Sequence, residues 1–426
     1  MLQIHSIREN REKVIEGLKK RGWSEKARHI VDQVIDADEK RRGTQKALDD
    51  LRAAGNRAAK EIGKLFATGQ KEAAEQIKAE IAAQKNQMKA LEAKMNEAND
   101  HMEALLLEIP NIPHHSVPAG TSESDNEVYK DWEGSMPELG ADSLPHWELA
   151  AKYGLIDFEL GVRLTGSGFP LYRGKGARLE RALINFFLDE AAGAGYEEIL
   201  PPLLVNAETA RATGQLPDKE GQMYHVEKDG LYLIPTAEVP VTNIFRGEII
   251  SQQDLPIRMT GYTPCFRREA GAYGKDVRGL NRVHQFDKVE IVQIVHPDES
   301  YRTLEAMLAH VETLLEKLEL PYRILRLCGG DLGFTSALTY DFEVYSAAQE
   351  KWLEVSSVSN FETFQSHRMM LRYRDSDSKL HLAHTLNGSA LALARIVAAL
   401  LENNQTSDGI VIPSALQSYT GFDRIG

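Results

Sequence analysis

Two long stretches of the chain share one pattern. Between about Ile30 and Phe66 there is no proline, and the positions at three-four spacing are Val34, Ala37, Arg41, Thr44, Leu48, Leu51, Gly55, Ala58, Ile62 and Leu65. After a break at Ala67-Thr68-Gly69-Gln70 the spacing resumes through Ile77, Ile81, Gln84, Met88, Leu91, Met95, Ala98, Met102 and Leu105. Three-four alternation sustained over more than three heptads predicts a coiled coil. Two such helices joined by a short glycine turn must fold back as an antiparallel hairpin. A helix of ~37 residues projects roughly 55 Å at 1.5 Å per residue. Ahead of them, Met1 to about Arg28 mixes charged residues with spaced apolar ones and predicts short helices.

Pro110 ends the second long helix, and Ile109-Pro110-Asn111-Ile112-Pro113 reads as an extended linker. We place the domain boundary there, dividing the chain into residues 1–110 and 111–426. The remainder alternates short strands and helices. Strands are predicted at Tyr196–Leu200, Leu231–Ile234, Arg258–Phe266, Phe286–Val295, Tyr322–Leu327, Thr339–Val344 and Lys351–Val358. Helices are predicted at Arg178–Ala192, Glu299–Leu320 and Gly388–Glu402. The fold class is α+β, with a largely antiparallel sheet flanked by helices.

Composition narrows the setting. The 426 residues are enough for two or three domains, and 42% hydrophobic with 27% charged residues suits a globular protein. The chain opens on charge without a signal-length apolar core. Its longest apolar stretch, near Leu391–Leu401, is interrupted by Arg395, so no membrane partner is expected. Two cysteines, Cys265 and Cys328, give neither a disulfide framework nor a zinc cluster, and a reducing cytoplasm fits. The net charge of −13 disfavours a nucleic-acid partner until its distribution is read. Residues 1–110 hold 21 Lys and Arg against 19 Asp and Glu, a balance of +2; the rest holds 29 against 44, or −15. A mildly basic extension on an acidic body can meet phosphates, although a solvated, salt-laced helix pair explains the same numbers.

Three segments carry candidate chemistry. Phe266-Arg267-Arg268-Glu269 is followed by Arg278 through Glu290, which includes Arg282, Phe286 and Glu290. Residues two apart on a strand share a face, so these segments predict a floor with cations for phosphate, an aromatic face for a base and carboxylates for amines. A ladder of salt bridges on a sheet surface is the competing reading. Gly388-Ser389-Ala390-Leu391-Ala392-Leu393-Ala394-Arg395 predicts a helix opening after Asn387, close to the sheet; a buried helix with one snorkelling arginine is the alternative. Gly195-Tyr196-Glu197-Glu198-Ile199-Leu200-Pro201-Pro202 suits an edge or interface strand, or a plain strand-loop junction. No phosphate loop of the G-x-x-x-x-G-K-[ST] kind is present, and His381 with His384 lacks further metal ligands nearby.

Taken in order along the chain, the three segments resemble motifs 1, 2 and 3 of the class II aminoacyl-tRNA synthetases. Thr236-Ala237-Glu238-Val239-Pro240, His284-Gln285-Phe286-Asp287-Lys288-Val289-Glu290, Glu354-Val355-Ser356-Ser357 and His384-Thr385-Leu386-Asn387-Gly388-Ser389 narrow the resemblance to the seryl-tRNA synthetases of bacterial type. The resemblance implies an N-terminal tRNA-binding arm, a class II catalytic domain and a homodimer. It implies ATP-dependent activation of L-serine and transfer to serine tRNA, and to selenocysteine tRNA where that tRNA exists. Arg267 and Arg395 are then the catalytic groups. ATP would meet Arg267, Arg268, Glu269, Arg282, Val283, Phe286, Glu354, Val355, Ser356, Ser357 and Arg395. Serine would meet Thr236, Ala237, Glu238, Arg267, Glu290, Asn387 and Ser389. Mg2+ would reach Glu354 and Ser357 through the ATP phosphates, with no zinc. Position 268 is Arg where many members have a small residue, and Ala390 stands where the motif often has glycine. A catalytically inactive synthetase-like RNA-binding protein, or a coiled-coil structural protein, are the competing functions; the complete residue set disfavours the first, and the motif order the second.

Overall fold

A computed structural model describes residues 1–269 and 278–426. The chain divides into two compact units, Met1–Lys19 with Trp23–Pro110, and Lys20–Gly22 with Asn111–Gly426.

The first unit is helical. Helices α1 (Ile4–Glu9) and α2 (Arg11–Lys20) bury Ile7, Val14, Ile15 and Leu18, and α3 (Ser24–Ala67) buries Ala27, Ile30, Val31 and Val34 near its start. Beyond that base α3 runs beside α4 (Lys71–Glu108) as the antiparallel hairpin that the heptads predict. Gly69, at φ 75°, supplies the left-handed turn between them. The 44 residues of α3 correspond to roughly 66 Å. Gly55 faces Gln84 across the seam, and Arg52 pairs with Glu92 at 3.0 Å. Asp38 is buried at the base and is neutralised by Arg8 and Arg41, each at 2.8 Å.

The second unit is built on an eight-stranded sheet. Its strands are β1 (Glu127–Lys130), β2 (Glu197–Glu198), β3 (Ile257–Phe266), β4 (Gln285–Val295), β5 (Tyr322–Arg326), β6 (Leu338–Ser346), β7 (Lys351–Asn360) and β8 (His384–Ala392), in the spatial order β1-β5-β6-β7-β8-β4-β3-β2. Every pairing is antiparallel except the short edge pairing of β2 with β3. Helices α5 (His146–Lys152), α6 (Gly174–Gly193), α7 (Ser300–Lys317) and α8 (Leu393–Asn403) supply Leu149, Leu183, Phe187, Met307, Leu314, Ile396 and Leu400 to the main core. That core also takes Val289 and Ile291 of β4, so the alternating Lys288 and Glu290 stand on the other face. Lys20–Gly22 join this unit through the buried Arg21 guanidinium, which donates to the carbonyls of Asn111 at 2.6 Å and Leu332 at 2.9 Å. Among the described residues no helix is long and apolar enough to cross a membrane.

Two sequence expectations need correction. Gly388–Ala392 is the end of strand β8, and helix α8 begins only at Leu393. The strand lies centrally between β4 and β7, buried on both faces, and small and apolar residues in such a strand lack the alternation that separates it from a helix. A Cβ at Gly388 would meet Val358 Cγ2 at 2.9 Å, which explains the glycine. The strand expected at Tyr196–Leu200 is reduced to Glu197–Glu198, stopped short of the paired prolines.

Candidate active site

The polar face of β4 and β8 forms a pocket. Register places Glu290 opposite Ser389 and Lys288 opposite Ala392, so Ala390 and Leu391 together face Val289. This bulge turns Ala390 and Leu391 into the core while Ser389 joins Glu290. Lys288 Nζ donates to Thr236 Oγ1 at 2.8 Å and lies 2.6 Å from Glu290 Oε2. The same carboxylate oxygen accepts from Thr236 at 3.4 Å and from Ser389 at 3.5 Å. Glu290 Oε2 is therefore held by three protein donors. A lysine and a glutamate this buried are stable because each neutralises the other.

Glu238 lies alongside, its Oε1 accepting from Gln365 at 2.7 Å. Gln365 is fixed in turn by Thr385, whose hydroxyl donates at 2.7 Å. Burial and then the nearby Glu290 charge push the Glu238 carboxyl up to about 7, opposed by Gln365, Lys288 and Asn387. The Asn387 amide nitrogen is buried without a hydrogen bond of normal geometry and lies close enough to Glu238 to favour its ionised form. The pocket thus presents one carboxylate neutralised by Lys288, one carboxyl that burial holds partly protonated near neutral pH, and two hydroxyls.

Strand β3 ends at Phe266, so Arg267 and Glu269 do not share a strand face as their spacing predicts. Arg267 N–H donates to His284 O and Arg268 N–H to Gln222 O, both at 2.9 Å, and Glu269 turns left-handed at φ 47°. The turn takes the Glu269 carboxylate to Arg282, whose Nε donates at 2.5 Å. A glutamate in that conformation is strained, which is common where geometry serves a ligand. The Arg267 guanidinium lies 5.2 Å from the Phe286 ring centroid and donates to Pro235 O at 3.4 Å, beside Thr236. Cation, aromatic face and the polar cluster around Glu290 are therefore contiguous.

A second bulge assembles the other end. Ser356 faces Phe342 and Glu354 faces Glu343, leaving Val355 as the extra residue. Without the bulge, residues three apart would lie on opposite faces; with it, Val355 and Val358 enter the core and Glu354 and Ser357 share the polar face. Arg395, in the first turn of α8, donates to Glu354 O at 2.6 Å and to Asn281 O at 3.0 Å. Asp341 sits opposite Ser357, with one buried carboxylate oxygen lacking any hydrogen-bond partner. Burial and then Glu354 raise its carboxyl, while the Ser357 hydroxyl opposes the shift. An orphaned carboxylate oxygen beside Glu354 and Ser357 fits a hard cation that takes oxygen donors from protein and phosphate together.

Some candidates contribute differently from what spacing implies. The side chains of Ala237, Val283 and Val355 lie in hydrophobic clusters, which leaves only their main chain for a ligand. Ser356 donates to Ser389 O at 2.6 Å and ties β7 to β8. The Arg268 charge is felt by the Tyr224 phenol at the rim. Lys288 was missed, although it shares strand parity with Phe286 and Glu290; Gln365 carried no comparable signal.

Residues 1–113 match the family described as the seryl-tRNA synthetase N-terminal domain, and residues 224–404 match the tRNA synthetase class II core domain (G, H, P, S and T). A serine–tRNA ligase of Salinibacter ruber is 53% identical, covering 100% of this chain and 99% of its own. One of Chlorobaculum parvum is 47% identical with full coverage of both. The crystal structure of seryl-tRNA synthetase from Pyrococcus horikoshii complexed with ATP superimposes with a TM-score of 0.93 at 36% identity, covering 100% of this chain and 99% of that one. The cytoplasmic serine–tRNA ligase of Naegleria fowleri in complex with AMP gives 0.87 at 28% identity, covering 100% and 98%. The chain belongs to the seryl-tRNA synthetase family of class II aminoacyl-tRNA synthetases, and its activity is that of a serine–tRNA ligase.

Proposed function

We propose that the pocket around Glu290 binds L-serine and that the surface from Phe286 to Arg395 binds a bent ATP. The carrying observation is the Thr236–Lys288–Glu290–Ser389 cluster beside Arg267. Lys288, Thr236 and Ser389 occupy one Glu290 oxygen and leave the other to accept from the substrate hydroxyl. Glu238 then pairs with the substrate ammonium, with Thr236 and Asn387 beside it and Ala237 offering main chain. A site with donors and acceptors committed to a hydroxyl rejects alanine strongly, because its own groups would be left unpaired.

Arg267 bridges the serine carboxylate and the α-phosphate; its planar fork suits two parallel charge-assisted hydrogen bonds. Phe286 stacks on adenine and Glu269 accepts from its amine. Arg282 and Arg395 take the outer phosphates, with the main chain of Val283, Val355 and Ser356 along the nucleotide and Arg268 at the rim. Glu354 and Ser357 would hold Mg2+, which supplies charge neutralisation on the phosphates. A serine carboxylate oxygen attacks the α-phosphorus in line, and the bond to the bridging oxygen breaks to release pyrophosphate. In the second step the terminal ribose 3′-hydroxyl attacks the adenylate carbonyl and AMP leaves. Positioning and charge neutralisation by Arg267 and Arg395 suffice for the first step, without a general acid or base.

The hairpin would contact serine tRNA, and the unit carrying the sheet would form a homodimer. Leu200 is 86% exposed, with Leu203 and Leu204 close by, on the segment following edge strand β2; such apolar exposure suits a subunit interface. Two buried free cysteines suit a cytoplasmic setting. Purified protein without tRNA should catalyse serine-dependent, magnesium-dependent ATP–pyrophosphate exchange. Equal exchange with threonine or alanine, or none with serine, would overturn the pocket assignment.

A further inference from the structure

Behind the phosphate-binding surface lies a fully buried polar pair that the proposed chemistry does not use. His146, the first residue of α5, and Glu402, in the last turn of α8, are both 0% exposed. His146 Nδ1 lies 2.7 Å from Glu402 Oε1, and the His146 backbone N–H donates to the same oxygen at 2.9 Å. The other ring nitrogen, Nε2, accepts from the Leu280 backbone N–H at 2.8 Å. An accepting Nε2 carries no proton, so Nδ1 carries it and donates to Glu402: the imidazole is neutral with a fixed tautomer.

The network continues outward. Ser346 and Gln349 donate to Glu402, Gln349 at 3.0 Å, and Asn281 Nδ2 donates to Gln349 Oε1 at 2.8 Å. Asn281 O in turn accepts from Arg395 Nε. Helix α8 therefore grips residues 280–281 from both ends, directly through Arg395 in its first turn, and through Glu402 in its last turn by way of His146 at the start of α5. Gly279, at φ 67°, lets the backbone pass against the imidazole, where a Cβ would collide with the ring. Arg282 follows directly.

We propose that His146, paired with Glu402, is a positioning residue that sets Arg282 and Arg395 for the outer phosphates of ATP. The proposal rests on the assignment of those arginines to the nucleotide. A well-packed apolar pair would fill the same volume with no desolvation cost. What apolar side chains cannot do is fix one backbone N–H, and with it the loop segment that carries one arginine and holds the other.

Two substitutions divide the ring between its nitrogens. In His146→Asn the amide nitrogen lies near Nδ1 and keeps a donor for Glu402, but no acceptor reaches Leu280. In His146→Gln the amide lies near Nε2 and keeps the acceptor, while Glu402 loses its side-chain donor. In pyrophosphate exchange His146→Asn should raise KM for ATP about tenfold, as expected for one lost buried hydrogen bond, and leave KM for serine within about twofold. His146→Gln should keep KM for ATP within about threefold and instead lower the melting temperature. An unchanged KM for ATP in His146→Asn overturns the proposal. So does a loss in both variants that follows only the fraction of folded protein, with both KM values unmoved. If neither variant folds, Gln349→Ala decides, since Gln349 is only partly buried: KM for ATP should rise at least about threefold, and no rise overturns the proposal. Wild-type protein lacking serine-dependent exchange would instead remove the reading of the site on which this rests.

Discussion

At the scale of single residues, Glu238 ties the electrostatics of the pocket to a measurable pH dependence. Its carboxyl is raised from 4.5 to about 7, first by burial and then by Glu290, against the opposing effects of Gln365, Lys288 and Asn387. Between those two values the folded state keeps a proton that the unfolded state has released. The contribution of Glu238 to stability therefore falls as pH rises through this window and is level above about 7. With Glu238 paired to the substrate ammonium as proposed, serine binding would have the opposite preference, because an ammonium ion needs the ionised carboxylate. KM for serine should fall as pH rises from about 6 to about 8, with a slope no steeper than tenfold per unit, and then flatten. Glu238→Gln should remove most of that slope and raise KM at pH 8 about tenfold or more, the scale of a charged hydrogen bond. A serine KM profile that is flat in the wild type, or unchanged in Glu238→Gln, would separate Glu238 from the ammonium. Only the family resemblance singled out Thr236, Glu238 and Ser389 for serine, whereas spacing alone placed Glu290 on the floor that carries Phe286. Lys288 was readable by parity alone. Gln365 was not, because it comes from a short helix, Phe364–Met369, whose approach to the pocket depends on tertiary packing.

At the scale of elements, period-3.6 and period-2 patterns located the hairpin, most strands of the sheet and its flanking helices. They failed where a strand is buried on both faces or carries a bulge. Residues Gly388–Ala392 look helical because small and apolar side chains occupy both faces of β8, and the bulge at Ala390-Leu391 removes the remaining alternation. The bulge at Val355 has the opposite effect, bringing Glu354 and Ser357 together from a spacing that a regular strand would split. The strand assignment also moves Arg395 from a second turn to the first turn of α8, where Glu354 O and Asn281 O hold it. A guanidinium held by two carbonyls is already oriented, so in its proposed role toward ATP its charge would be available without reorganisation. Arg395→Ala should reduce the rate of adenylate formation on the order of 10²-fold, with little loss of stability because the side chain is partly exposed. Single-turnover formation of seryl-adenylate checks this directly; a rate within a few-fold of wild type would place Arg395 outside the reacting phosphates.

At the scale of the whole molecule, charge differs between the two units, and on the proposed function the hairpin would meet tRNA while the sheet unit activates serine. The hairpin carries Lys40, Arg42, Arg52, Lys60, Lys64, Lys71 and Lys78 on exposed positions, on an extension with a balance of +2 against −15 for the rest of the chain. Arg52 and Lys78 are engaged with Glu92 and Glu75 in exposed pairs, which are weak enough for phosphate to compete. Phosphate contacts release counterions, so tRNA affinity should fall steeply with salt. The pocket, both bulges and the His146 network belong to the second unit, and none of them includes a residue of the hairpin. Deleting about residues 36–98 and closing the gap with a short glycine linker should therefore leave serine-dependent pyrophosphate exchange nearly intact. Size-exclusion chromatography should show the shortened protein as a dimer, because Leu200 and its neighbours are retained. Transfer of serine to tRNA should drop by orders of magnitude, and the residual charging should have a shallower dependence on salt than in the full chain. Near-normal charging of serine tRNA at moderate salt by the truncated enzyme would show that the hairpin is not its tRNA-binding element. Loss of exchange in a folded, dimeric truncation would show instead that the two units are coupled in the activation step.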